Sequence, residues 1–299
     1  MFLILSPGAL LVLQPAVRAQ DVEAVASKVG KDYVRKQLSD GTFQPETYVF
    51  GKGDNWGARV DPTNDKVDFM DVARIMAAAL AKKGYLPAGD PKAADELIMI
   101  SWGTTEAPEH ATQSNTHNLA QEANERRDRA LLMLKDANIK RPSEAKAAQA
   151  MLAEADAALL SATIGIQAEN QRREDTDMKT AALLGYDSWW VATNGAMDGS
   201  PMGRRKHDML GELEEDRYFV VLVALDYKAL VAKKKSTLLW EARFSIREHG
   251  TAFDKRLEGM VAKASEYFGR DSGGLQHVDV PPGRVIVGPV ESLGVVREK

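Results

Sequence analysis

Cysteine is absent from the 299 residues. That excludes disulfides, thiol nucleophiles, cysteine-ligated zinc and iron–sulfur clusters. It also excludes lipid attachment through an N-terminal cysteine. Positive charge is not in excess either: 39 Lys and Arg stand against 43 Asp and Glu, for a net charge of −4. A general nucleic-acid binder needs a basic surface to neutralise phosphates, so that class is disfavoured. The basic clusters Arg126-Arg127, Arg204-Arg205-Lys206 and Lys233-Lys234-Lys235 are short and read as solvated faces or loops. No internal repeat is visible. What remains is ordinary for a globular protein, with 44% hydrophobic and 27% charged residues, enough for one large domain or two small ones.

The most apolar stretch lies at the N-terminus. Phe2-Leu3-Ile4-Leu5 and Ala9-Leu10-Leu11-Val12-Leu13 precede Val17-Arg18-Ala19-Gln20. The run is too short to span a bilayer comfortably, and it predicts an export signal over residues 1–19, cut after Ala19. The mature chain is then expected to be periplasmic or secreted, with no transmembrane helix. No Lys or Arg precedes the run, so either translation starts upstream or the segment is an uncleaved apolar tail.

Periodicity divides the rest. Residues 20–105 read as the first half of an α+β domain. An amphipathic helix is expected over residues 21–38, with Val22, Val25, Val29 and Tyr33 on one side. Thr47-Tyr48-Val49-Phe50 is a strand. A helix follows, capped by Asp68, striped with Phe69, Val72, Ala73, Met76, Ala79 and Leu80, and stopped by Gly84. Residues 96–102 are apolar on both faces and predict a central strand. Residues 106–192 read as a helical hairpin, because Ala145, Ala148, Leu152, Ala155, Leu159, Ala162 and Ile166 form a heptad seam. Ala120, Ala123, Ala130, Leu134 and Ala137 face it, so an antiparallel pair is expected. Residues 193–217, rich in Gly, Met and Ser, read as a mobile linker.

Residues 218–270 supply the second half: a central strand over residues 218–226, an alternating strand over residues 237–246, and a helix buried through Phe253, Leu257, Met260, Ala264 and Phe268. Three lysines between those strands suit an exposed edge. Residues 271–299 are a tail with one strand candidate, Val285-Ile286-Val287. The fold class is therefore α+β, a two-layer sandwich of an antiparallel or mixed sheet with helices on one face, interrupted by the hairpin.

The two halves resemble the domain-of-unknown-function 4136 family. The resemblance rests on Thr47-Tyr48-Val49-Phe50, the helix ending in Lys83-Gly84-Tyr85, and Ala94-Asp95-Glu96-Leu97 leading into the second strand. It continues through residues 218–226, Leu239-Trp240-Glu241-Ala242 and the last helix, and covers about half the chain. These are small exported proteins, often lipoproteins, of Gram-negative envelopes. The resemblance implies an envelope location and a role in an assembly, and it offers no catalytic residues. The long helical insert and the missing lipid-accepting cysteine are departures from the family.

Motifs with chemical potential are weak. Gly51-Lys52-Gly53-Asp54-Asn55-Trp56-Gly57 has the wrong spacing for a dinucleotide fingerprint and does not open into a helix. Ser143-Glu144-Ala145-Lys146 matches Ser-x-x-Lys, but its partner motif is absent and the serine reads as a helix cap. Asp61, Asn64, Asp65 and Asp68 lack the closing glutamate of a calcium loop. No catalytic residue, metal or cofactor is expected. The function expected is that of an exported adaptor using its hairpin against another envelope protein or a second copy of itself. The contact residues would be Arg126, Arg127, Arg129, Glu169 and Arg172 on the outer face, with Trp189 and Trp190 at the base. The rival is a small-molecule or metal-binding enzyme using a cleft near His110, His117, Asp187 and His207.

Overall fold

The computed structural model describes residues 21–54, 67–107, 114–140, 142–248, 250 and 252–280. They form a seven-stranded mixed sheet with seven α-helices. In chain order the elements are β1 (Asp21–Val29), β2 (Glu46–Lys52), α1 (Phe69–Ala81), β3 (Tyr85–Pro87), β4 (Glu96–Thr104), α2 (Asn115–Lys140), α3 (Ala145–Leu184), α4 (Asp187–Thr193), α5 (Pro201–Leu213), β5 (Arg217–Asp226), α6 (Tyr227–Lys233), β6 (Leu238–Arg247), α7 (Phe253–Ala264) and β7 (Gln276–Val280). The strand order is β3-β2-β4-β5-β6-β1-β7. β2 pairs in parallel with β3 and β4, and every other pairing is antiparallel. The α+β class expected from periodicity is the class observed.

β4 and β5 are central, as their apolar runs require. Alternate residues of β5 serve two different cores. Tyr218, Val220, Leu222 and Ala224 face α1 and α7, together with Ile98, Ile100, Trp240, Phe244 and Phe268. Phe219 and Val221 face the opposite way, against Ala181, Leu184, Tyr186, Met209 and Leu213. Helices therefore cover both faces, and the expected two-layer sandwich with helices on one face is corrected to three layers. The two-sided apolarity of β5 is the physical mark of that arrangement.

Four local expectations also change. Residues 21–29 are a strand, not the start of a helix. β1 hydrogen-bonds β6 on one side, Val25 opposite Phe244, and β7 on the other, Val25 opposite Gln276. Valines spaced as a helix stripe are also β-branched residues that fit a pleated surface, and two partner strands decide between those readings. Gly30 ends β1 where a Cβ would sit 2.0 Å from the Leu238 carbonyl oxygen. The supposed linker contains α5, started by Ser200, whose hydroxyl accepts from Gly203 N–H, with Pro201 in the first turn. The lysine-rich connector carries α6, capped by Asp226. The tail contributes β7; Val285-Ile286-Val287 and the signal segment lie outside the described residues.

Between β4 and β5 the chain leaves the sheet. α2 packs along α3, from Thr116 beside Glu169 to Arg127 beside Asp156, so the two run antiparallel. Ala123 and Ala130 are buried against Ala148, Ala155 and Ala162, and small seam residues let the helix axes approach closely. At about 1.5 Å per residue, α2 accounts for an arm roughly 39 Å long. The C-terminal part of α3 returns to the sheet. Gly185, at φ +85°, ends it where a Cβ would lie 2.4 Å from the Ala26 Cβ. Arg243 on β6 donates to the Ala182 and Leu183 carbonyls at 2.6 and 3.2 Å, a cation placed at the negative end of the helix.

Candidate functional site

Three places gather chemistry: the arm, the cleft at its root, and a buried acid cluster beneath the loop between β1 and β2.

On the arm, the residues expected to face outward divide. Arg126 and Arg129 are exposed and pair within α2, with Glu122 and Glu125. Arg172 is exposed on α3. Arg127 and Glu169 instead join the two helices: Arg127 Nε lies 2.8 Å from Asp156, and Glu169 accepts from the Thr116 hydroxyl. Their placement on the outer face is corrected, because each sits at the seam's margin where a long side chain reaches the other helix. The surface that is apolar and open lies elsewhere. Leu160 and Ile164 are 63% and 58% exposed on α3, one turn apart, and Leu132 and Met151 are exposed toward the tip. Arginine spacing did not point there. The signal was available in the run from Ala157 to Ile164, which has no charge and is longer than the seam needs.

Trp189 and Trp190 sit on α4 at the arm's root, half-buried against the second core. Trp189 meets Tyr186 edge-on at 6.2 Å and lies 5.4 Å from the His277 ring, with the Arg205 guanidinium 5.2 Å from its centroid. Glu212 accepts from the Tyr186 hydroxyl and pairs with His277 Nε2 at 3.0 Å. Burial works against ionising Glu212, but these two partners outweigh it and hold the carboxyl below its usual range. A cleft of about 1040 Å³ opens here, lined by Trp189, Asp198, Arg204, Arg205, His207 and Glu212 among others. Of the residues the rival reading grouped, His207 lines this cleft and Asp187 is exposed on α4. His117 lies on the first turn of α2 beside Ser114, and His110 lies outside the described residues. Among the described residues no group of three or more His, Asp or Glu side chains could hold a metal ion.

The third place was not anticipated. Glu46 from β2, Glu96 from β4, Tyr85 from β3 and Trp240 from β6 converge under Tyr33 and Arg35. Tyr33 Oη donates to Glu46 at 2.6 Å and lies 3.0 Å from Tyr85 Oη and 3.4 Å from Glu96. Trp240 Nε1 donates to Glu96 at 3.2 Å. Glu96 is 1% exposed. Burial first, then a hydrogen bond to Glu46, pushes its pKa up to about 9. Both effects favour the protonated form of Glu96 at neutral pH. Arg35 Nε stands 3.7 Å from Glu46 and offsets the remaining charge. Beside it, Asp95 receives Lys228 Nζ at 2.6 Å and both donors of Thr47. Apart from Arg35 Nε, which is buried without a hydrogen bond, the members of this set satisfy one another, so it reads as a structural lock on the loop. In the sequence Tyr33 falls on the helix stripe expected over residues 21–38, which hides its role.

No protein-family model matches the chain, and no curated protein matches it.

Proposed function

We propose that this is an exported, non-enzymatic envelope protein, a scaffold or adaptor whose helical arm binds a partner through the outward side of α3. The resemblance of the sheet elements to the domain-of-unknown-function 4136 family supports the envelope location. One observation carries the docking role: among the described residues α2 packs chiefly on α3 and the turn joining them, while Leu160 and Ile164, one turn apart on α3, stay in water. Large apolar side chains withdrawn from water contribute about 1.5–3 kcal/mol each, so this exposed pair favours association. Arg126, Arg129 and Arg172 form a polar rim that sets orientation more than affinity.

The test replaces residues 117–168 by a short Gly/Ser linker, since Thr116 and Glu169 already touch at the arm's base. A second variant, Leu160→Glu with Ile164→Glu, keeps both helices. Crosslinking in the envelope fraction and sedimentation at two concentrations are compared with the intact chain. Association lost in both variants supports the reading, and sedimentation tells a foreign partner from a second copy. Association unchanged by either variant refutes it.

A second reading is favoured by the cleft around Trp189, His207 and Glu212, whose size suits a small molecule. Elemental analysis of protein purified without chelator distinguishes its metal-dependent form: stoichiometric zinc or calcium would favour an enzyme.

A further inference from the structure

We propose that the cleft between the C-terminus of α1 and the turn after α7 is a binding site for a phosphate-bearing ligand. The cleft measures about 560 Å³ and is lined by Tyr33, Arg35, Phe43, Lys82, Lys83, Gly84, Phe268, Gly269 and Arg270 together with Val34, Thr42 and Ala81. Four of these residues are cations and none is an acid. That imbalance stands out in a chain with a net charge of −4.

Arg35 is built into the wall. Its guanidinium lies between the rings of Tyr85 and Phe43, 4.1 and 4.8 Å from their centroids, and Nη1 donates to the Lys83 carbonyl at 2.8 Å. The Gly84 carbonyl is taken by Glu46 N–H at 3.1 Å. The negative end of α1 is therefore occupied by the protein's own donors and does not cancel the lysines. The Glu46 carboxylate is held by Tyr33 and faced by Arg35. Lys82, Lys83 and Arg270 keep their charge free: none makes an ion pair with another described residue. Arg270 has only a 3.4 Å bond to the Glu266 carbonyl.

Two glycines keep the walls open. Gly84 and Gly269 take φ of +82° and +67°, and a Cβ on Gly269 would lie 1.8 Å from Tyr85 Oη. Three uncompensated cations around one concave, partly apolar space focus the field on an anion of more than one charge. Arginine's fork and lysine's point charge both suit phosphate oxygens. Phe43, 40% exposed, offers a flat apolar surface to the ester part. The ligand is either a free phosphoester or a phospholipid headgroup, and the experiment separates the two.

Full-length protein is titrated calorimetrically with pyrophosphate at low ionic strength. It is also co-sedimented with phosphatidylglycerol and with phosphatidylcholine vesicles. The variant Lys82→Ala, Lys83→Ala, Arg270→Ala removes the free charges from exposed or half-exposed positions; Lys82→Glu alone is a lighter second variant; Lys135→Ala with Lys179→Ala, both exposed on the helices of the arm, controls for charge elsewhere. The proposal expects saturable binding that the triple variant weakens at least tenfold, Lys82→Glu weakens severalfold, and the arm control leaves unchanged. Pyrophosphate binding identifies recognition of a free, soluble phosphate compound, and binding only to phosphatidylglycerol vesicles identifies a headgroup. Absence of saturable binding to both probes, equal binding by the triple variant, or equal loss in the arm control overturns it.

Discussion

Replacing Glu96 by Gln should stabilise this protein, and more so as pH rises. The carboxyl is buried beside Glu46, which pushes its folded pKa up to about 9 against an ordinary value of 4.5, although Trp240 donates to it. The native state therefore binds more protons than the unfolded chain between those two values, and stability falls as pH rises through that window. Below about pH 4.5 both states are protonated and the penalty vanishes. Each unit of difference corresponds to about 1.4 kcal/mol, so from pH 5 to pH 8 the bound is about 4 kcal/mol. Interaction with Glu46 and relaxation of Arg35 reduce this to roughly 1–3 kcal/mol. Glutamine keeps an acceptor for Trp240 and a donor for Glu46 without the titration. Urea unfolding of both proteins at pH 5, 6.5 and 8 gives the difference directly, with other titrating groups cancelling. Glu96→Gln should be near neutral at pH 5 and more stable by at least about 1 kcal/mol at pH 8. A difference that is constant with pH, or that turns against Gln at pH 8, would refute a protonated Glu96.

Three further outcomes follow from burial and packing. Glu23 on β1 is fully buried with no hydrogen bond to either carboxylate oxygen, and burial raises its pKa well above normal despite Lys263 and Arg217; Glu23→Leu should raise the melting temperature at pH 7, by about 1–3 kcal/mol in stability. Asp177, where α3 meets the body, is pushed up to about 6 by burial and by Glu214, with Arg173 opposing; Asp177→Asn should stabilise the chain above pH 6 and leave it unchanged below pH 4, measured as the thermal midpoint against pH. Ala155→Glu puts a charge into the buried seam of α2 and α3 and should reduce helical circular dichroism while the near-ultraviolet signal of Trp240 and its neighbours persists; loss of both signals together would mean that arm and sheet fold as one unit.

Elements whose pattern is both strong and local could be read from the sequence. α1 carries Val72, Ala73, Met76, Ala79 and Leu80 at helical spacing and buries all five. β6 alternates, and Trp240, Ala242, Phe244 and Ile246 all face one core. The alanine spacing on α3 marks the residues that are buried on the arm. Elements whose identity depends on a distant partner were misread. β1 has a valine spacing compatible with either structure, and only β6 and β7 decide it. α5 hides in a composition typical of loops, although Ser200-Pro201 is a start signal. The second core was legible in the two-sided apolarity of β5, but that was read as centrality alone. The acid cluster was not legible, since its members come from residues 33, 35, 46, 85, 96 and 240 and no sequence spacing joins them. The basic cleft escaped for the same reason: Lys82-Lys83 looked like the end of a helix, and Arg270 is far away in the chain.

The distribution of cohesion in the molecule bears on what the arm is for. The sheet is covered by helices on both faces, with aromatic residues packed through one core and a buried polar lock at its edge. The arm has a seam of alanines edged by half-buried leucines, crossed by the exposed ion pair of Arg127 with Asp156. An exposed pair of that kind contributes roughly 0–1 kcal/mol, and alanine contributes little apolar area. Two helices held so lightly open locally at lower free energy than the sheet does. A partner seated on Leu160 and Ile164 would add the missing third side, converting a two-helix contact into a small bundle with its own core. Under the docking hypothesis, amide exchange along α2 should slow on association by more than exchange in β4 and β5. A body rigid at Gly185 and Arg243 and an arm loose beyond Glu169 is the arrangement that lets binding be reported there first.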